Sequence, residues 1–176
     1  MGAEAPADGC VGRHEQRGIT VVELILARHA KSDWGDSELA DHERPLNARG
    51  SRDAPVMARR LAAAGAAPGR ILSSTAVRAR TTAAEFGSAL GVEVELDEGL
   101  YLASMSTLLA KAAGAGSPSV MLVAHDPGLS ALAFHLSNGG IAHMPTCAVA
   151  RFTWPTASWD EASSRTPDSW SLDTPR

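Results

Sequence analysis

The sequence contains few cysteines and few aromatic residues, and it has no excess of positive charge. Two cysteines, Cys10 and Cys147, cannot build a disulfide framework, so a reduced, cytoplasmic compartment is expected. Aromatic residues make up only 5% of the chain, so the core must consist mainly of Ala, Val, Leu and Ile. The net charge of −4 argues against the basic surface that nucleic-acid binding requires.

Long apolar runs and targeting signals are also absent. Nowhere do about 18 uncharged apolar residues follow one another, as a membrane span would need, so no membrane partner is expected. Residues 1–18 lack the apolar centre of a signal peptide, and Pro6 stands where a myristoylation signal needs Ser or Thr. The glycine-rich nucleotide loops, the Gly-x-Ser-x-Gly elbow and the His-Glu-x-x-His metal motif do not occur.

Strand-like and helix-like segments alternate along most of the chain. The apolar pattern predicts strands at 20–27, 69–74, 92–96, 119–124 and 147–154, and helices at 51–65, 76–91, 104–116 and 127–140. This alternation predicts a single α/β domain, with helices covering both faces of a mostly parallel sheet in three layers. Residues 1–19 are expected to form a flexible leader, residues 20–154 the domain, and residues 155–176 a hairpin or a tail.

Charged residues follow three of the predicted strands. Arg28 and His29 come directly after the first, His125 follows the strand at 119–124, and Arg78 lies near the start of the helix after the strand at 69–74. Ligands of parallel α/β sheets bind at the carboxyl ends of the strands, so these residues are expected to meet there. An arginine near a helix N-terminus is favoured when an anion binds beside it. Each residue alone fits a solvated loop, but together they predict an anion site.

The starts of two helices bear on this site. Ser74 or Thr75 is expected to cap the helix that carries Arg78. Asp126 is expected to cap the helix after His125, with Pro127 in its first position.

A metal site is not expected. His135 and His143 could be combined with His125 as ligands, but His135 falls inside a predicted helix and no Cys-x-x-Cys pair supports the arrangement.

Five motifs occur in the order found in the histidine phosphatase (phosphoglycerate mutase-like) superfamily. They are "RHAKSDW", "RPLNARG", "SSTAVRARTTA", "LY" at 100–101 and "VAHDPGL". The sequence resembles the SixA-like phosphohistidine phosphatase branch in particular, over about residues 21–154. Ala30 and Asp126 replace the glycine and asparagine usual in the superfamily, and the short members lack the leader.

This resemblance implies a phosphoglycerate mutase-like fold and a site without cofactor or metal. It implies that His29 is the nucleophile and that Arg28, Arg78 and His125 bind the phosphoryl group. Ser32, Arg44 and Asn47 are further candidates for substrate binding.

The sequence does not decide which residue, if any, is the general acid that protonates the leaving group. Superfamily phosphomonoesterases and mutases use a carboxylate after the third strand, for which Glu98 and Asp97 are the candidates. The SixA-like branch manages without it, as suits a P–N bond. The resemblance and the site residues together predict a metal-independent phosphatase that works through a phosphohistidine intermediate on His29 and acts on phosphohistidine of a protein. A small-molecule phosphomonoesterase or mutase and a non-catalytic phosphate- or phosphoprotein-binding module are the alternatives.

Overall fold

The computed structural model of the protein describes residues 20–156 and 158–176; the expected leader at residues 1–19, with Cys10, lies outside them. The strands are β1 (Val22–Arg28), β2 (Arg70–Ser73), β3 (Val94–Leu96), β4 (Ser119–Ala124), β5 (Val149–Trp154) and β6 (Ser169–Asp173). The helices are α1 (Ala48–Ala63), α2 (Val77–Leu90), α3 (Met105–Ala113), α4 (Gly128–Leu136) and α5 (Trp159–Ser163). Two 3-10 turns are found at Asp41–Glu43 and Glu98–Leu100.

One six-stranded sheet organises the fold, in the order β3-β2-β4-β1-β5-β6. The four strands from β3 to β1 are mutually parallel, whereas β5 runs antiparallel to β1 and β6 antiparallel to β5. The prediction of an α/β fold with a mostly parallel sheet is confirmed. Within residues 155–176, α5 precedes β6, which forms the edge of the sheet.

Each face of the sheet carries its own apolar cluster. Leu24 and Leu26 point into the cluster that α3 and α4 cover, and Ile25 points into the cluster that α1 and α2 cover. Both faces are thus buried, which explains why the central strands are continuously apolar. In the part of the chain that the structure describes, no helix is long and apolar enough to cross a membrane.

Helix α1 begins three residues before its predicted start. The Asn47 side chain caps it by accepting a hydrogen bond from Gly50 N at 2.9 Å. Pro55 consequently lies inside the helix, where it cannot donate to the carbonyl of Ser51. Ser51 is exposed, so water can reach the carbonyl that Pro55 leaves without its usual donor.

The predicted caps of α2 and α4 are wrong in detail. Ala76 is the N-cap of α2, because the hydroxyls of Ser74 and Thr75 contact His125 and His42 instead. Pro127 is the N-cap position of α4, although Asp126 Oδ1 still accepts a hydrogen bond from Ser130 N at 3.1 Å.

Two glycines allow helices to start close to neighbouring loops. A Cβ atom on Gly50 would lie 2.2 Å from Lys31 O, and one on Gly128 would lie 1.9 Å from Ala103 O. Both contacts are far inside van der Waals distance and involve backbone atoms. Glycine at these positions lets α1 and α4 pack against loops at the carboxyl edge of the sheet.

Candidate active site

Three adjacent strands end at the same place. His29 follows β1, His125 follows β4, and Arg78 lies in the first turn of α2, directly after β2. The imidazole centroids of His29 and His125 are 5.0 Å apart. Arg78 lies between the rings, with Nε 3.3 Å from His29 Nε2 and Nη2 3.4 Å from His125 Nδ1.

His29 is held in one tautomer by the backbone. Its Nδ1 lies 2.8 Å from the carbonyl oxygen of Ala30, which can only accept, so Nδ1 carries the proton and Nε2 presents a lone pair. Ala30 N donates to Thr82 Oγ1, which donates to Arg78 O and so joins the loop after β1 to α2.

The His29 ring is also held neutral. Its pKa is lowered from 6.5 to about 4, chiefly by burial and also by the charges of Arg78 and Arg28, while the hydrogen bond to Ala30 acts in the opposite direction.

His125 is neutral as well. Its Nε2 lies 2.8 Å from Ser74 Oγ, and its Nδ1 faces a nitrogen of Arg78 that can only donate. Nδ1 is therefore the acceptor, and Nε2–H donates to the serine. Burial lowers the pKa of His125 from 6.5 to about 3, with further contributions from the charges of His29 and Arg78.

The Arg28 guanidinium is held through Nη1, whereas its Nε has no partner among the described residues. Nη1 donates to Met144 O at 2.8 Å and lies 2.7 Å from Asp126 Oδ2. Nε is buried and has no hydrogen-bond partner among the described residues. Asp126, expected from the sequence only as a helix cap, thus orients Arg28 and leaves a buried N–H donor without an acceptor.

The three further substrate-binding candidates lie on the chain that follows His29. Ser32 is buried, and its Oγ accepts a hydrogen bond from Trp34 Nε1. Arg44 stacks on the Trp34 ring at 4.3 Å and donates to Asp36 O. Asn47 is the cap of α1. Their observed contacts are structural, so a role in binding substrate stays a prediction.

Asp97 and Glu98 are not brought into contact with the two histidines and two arginines. Asp97 lies 2.7 Å from Lys111 Nζ and accepts a hydrogen bond from Gly99 N. Its pKa is lowered, chiefly by the hydrogen bond from Lys111. Glu98 is exposed and lines a separate groove together with Asp97, Lys111 and Arg70.

Asp41 and Tyr101 are the site residues that the sequence analysis missed. Asp41 Oδ2 accepts hydrogen bonds from Arg78 Nη2 at 2.9 Å and from Tyr101 OH at 2.7 Å, and its backbone carbonyl accepts from Arg78 Nη1 at 2.5 Å. The Tyr101 ring meets His125 edge to face at 5.3 Å. Tyr101 belongs to the quoted "LY" motif, whereas no residue pattern marks Asp41 as a partner of Arg78.

Within residues 20–156 and 158–176, no three His, Cys, Asp or Glu side chains cluster as a metal site would require. His135 is exposed on α4, and His143 lies 3.5 Å from Asp126. The positive charge at the site comes from Arg28 and Arg78.

The fold and the site together define an α/β protein with two histidines and two arginines at the carboxyl edge of its sheet. The chain belongs to the histidine phosphatase superfamily, whose branch 1 pattern matches residues 24–101. The resemblance predicted from the motifs is therefore confirmed.

Individual relatives agree with this assignment. An uncharacterized chloroplastic protein of Arabidopsis thaliana is 30% identical over 164 residues, which cover 85% of this chain and 75% of the relative. The crystal structure of a protein assigned as the phosphohistidine phosphatase SixA from Agrobacterium tumefaciens is 31% identical, with a TM-score of 0.69, and the match covers 74% of this chain and 90% of that one. A structure assigned as SixA from Nakamurella multipartitia shares the fold at 24% identity, with a TM-score of 0.75, over 88% of this chain and 96% of that one.

Proposed function

We propose that the protein is a metal-independent phosphatase that removes the phosphoryl group from phosphohistidine on a protein, through a phosphohistidine intermediate on His29. One observation carries the proposal. Nε2 of His29 is an unprotonated nitrogen at the carboxyl edge of the sheet that accepts a hydrogen bond from Arg78 Nε, and the neighbouring Arg28 has a buried Nε–H without a partner among the described residues.

The nucleophile needs no separate base. With Nδ1–H bound to Ala30 O, His29 can attack phosphorus through Nε2, and the imidazolium that forms keeps its hydrogen bond to the carbonyl. A pKa of about 4 keeps Nε2 unprotonated near neutral pH.

The surrounding donors suit the charge of a transferring phosphoryl group. The unpaired Nε–H of Arg28 supplies a fixed donor to a phosphoryl oxygen, and Arg78, whose Nε lies 3.3 Å from His29 Nε2, supplies positive charge beside the reacting nitrogen.

The lack of a protonated acid among the described residues of the site favours a substrate with a P–N bond over one with a P–O bond. An alkoxide needs a proton as it leaves, and the carboxylates expected to supply it, Asp97 and Glu98, lie elsewhere. Asp41 is near the site, but hydrogen bonds from Tyr101 and Arg78 lower its pKa and keep it ionised. Hydrolysis of an alkyl phosphate by a phosphomonoesterase or mutase would therefore lack the protonated acid it needs. An imidazole leaves from a P–N bond more readily than an alkoxide leaves from a P–O bond.

A phosphorylated protein is the proposed partner. The segment between His29 and α1 is short and holds one brief 3-10 turn, so it provides no large lid over the site. A cytoplasmic location is part of the proposal, since Cys147 is a buried free thiol.

The test is to trap the phosphoryl group and locate it. The protein is mixed with phosphoimidazole, quenched in alkali and digested, and the phosphorylated peptide is identified by mass spectrometry. We expect the label on His29, and we expect His29→Ala to lose both label and turnover while its circular dichroism stays that of a folded protein.

The matched control is His135→Ala, which removes an exposed histidine of α4 and should keep label and turnover. Near-normal turnover in His29→Ala would overturn the proposal. Binding of phosphoimidazole without turnover in the unaltered protein would instead support a non-catalytic phosphate-binding module.

A further inference from the structure

The Asp41 carboxylate lies beside the proposed phosphate site, and the proposed function assigns it no role. Asp41 accepts a hydrogen bond from the same Arg78 guanidinium that a phosphoryl group needs, and Tyr101 OH donates to the same carboxylate oxygen. Its negative charge opposes the binding of a phosphate dianion. As an ionised group it is not a proton donor either.

The position of Asp41 relative to the nucleophile indicates which part of the substrate it faces. His29 is 7% exposed and contacts Nε of Arg78, whereas the Asp41 side chain is 44% exposed and contacts the Nη atoms at the other end of the same guanidinium. Phosphoryl transfer places the attacking and leaving atoms roughly in line, with phosphorus between them. A leaving group opposite His29 therefore departs toward the other end of the guanidinium, where Asp41 and Tyr101 lie.

We propose that Asp41 selects the leaving group by accepting a hydrogen bond from the ring N–H of the departing imidazole. The inference rests on the proposed function and adds a specificity-determining residue to it. A ring protonated on its second nitrogen brings both the positive charge and the donor that offset the carboxylate. An O-phosphate brings neither, so Asp41 discriminates against it by repulsion.

The step balances without an added proton donor. The lone pair of His29 Nε2 forms the bond to phosphorus, the P–N bond of the substrate breaks, and its electron pair stays on the substrate nitrogen. The substrate ring leaves as neutral imidazole and keeps the N–H that faces Asp41. His29 becomes a phosphorylated imidazolium. Water then bonds to phosphorus, His29 leaves as neutral imidazole, and both protons of the water remain with the released phosphate.

The experiment compares two probes on the full chain: phosphoimidazole, whose ring can carry the N–H, and p-nitrophenyl phosphate, whose leaving group has none and needs no proton. The measured quantity is the ratio of kcat/KM for the first probe to kcat/KM for the second. Asp41→Asn keeps the size of the side chain and removes its charge, so we expect this ratio to fall about tenfold or more. Tyr101→Phe removes the hydroxyl that positions Asp41 and should lower the ratio less, in the same direction.

Glu38→Gln is the matched control, because it removes the same charge from an exposed position in the same loop. It should change the ratio less than twofold. If Asp41 only holds Arg78 in place, both kcat/KM values fall together in Asp41→Asn and the ratio stays within twofold of the unaltered protein, which overturns the inference alone. Failure of the unaltered protein to hydrolyse either probe would overturn the proposed function itself.

Discussion

At the scale of single residues, the site confines two imidazoles and a guanidinium in a small buried volume. His29 and His125 are both buried, and the Arg78 side chain between them is 6% exposed. A second or third positive charge in this space is costly, so both rings stay neutral and the arginine keeps its charge. The neutral state that this packing enforces is also the state that a histidine nucleophile requires.

This neutrality predicts how stability depends on pH. The pKa of His29 is about 4 in the folded protein and 6.5 ordinarily, so between these values the unfolded chain binds more protons than the folded one. The free energy of unfolding therefore falls as the pH falls through this window. From pH 7 to pH 5 the contribution of His29 is about 2 kcal/mol. Urea unfolding at the two pH values should show a smaller loss in His29→Asn than in the unaltered protein.

The control for this prediction is His135→Asn, which removes an exposed histidine. It should lose as much stability on acidification as the unaltered protein. If His29→Asn and His135→Asn lost equal amounts, the buried neutral state of His29 would be contradicted.

At the scale of secondary-structure elements, the site depends on how closely helices start against the sheet edge. α4 begins three residues after His125, and its first residue, Gly128, packs against the backbone of Ala103. α1 begins beside Lys31 in the same way, through Gly50. Both contacts set the position of the loops that carry site residues.

Gly128→Ala should therefore disturb both the fold and the site. The added Cβ would lie 1.9 Å from Ala103 O, so either α4 or the loop before α3 must shift. We expect a destabilisation of about 1–3 kcal/mol, the range typical of overpacking. Gly114→Ala at the end of α3 is the control, since its nearest contact would be 3.3 Å. Equal urea midpoints for the two variants would argue against close packing at Gly128.

The limits of strands and helices that nearby residues determine were predictable from the sequence, and features that depend on distant contacts were not. β4 matches its predicted limits of 119–124, and α2 ends at Gly91, whose φ of 68° favours glycine. The predicted caps of α2 and α4 were wrong because Ser74 contacts His125 and Asp126 contacts Arg28 in the tertiary structure. The start of α1 was placed three residues late although its cap, Asn47, makes a local bond to Gly50. The convergence of three strand ends followed from the parallel sheet. The pairing of Asp41 with Arg78 did not, because it joins a loop to a helix across 37 positions of sequence.

At the scale of the whole molecule, the net charge of the chain is −4, whereas the site contains two positively charged arginines. In the proposed function we expect Arg28, Arg78 and the start of α2 to supply the attraction for an anion, at short range. Tight binding of a phosphate must therefore come from directed hydrogen bonds within the site rather than from the field of the protein as a whole.

If arginine N–H groups bind the phosphoryl oxygens, we expect oxyanions to inhibit the enzyme and its activity not to depend on a divalent metal. Vanadate and tungstate resemble a transferring phosphoryl group and should compete with phosphoimidazole, and dialysis against a chelator should leave kcat/KM unchanged. Arg28→Lys keeps the charge but loses the planar set of N–H donors, so its inhibition constant for vanadate should rise about 10- to 100-fold, as expected for the loss of a hydrogen bond to a charged group. Arg80→Lys is the control, because Arg80 is exposed on α2. Loss of activity on chelation that added divalent metal restores would contradict a site in which arginines alone neutralise the phosphoryl group.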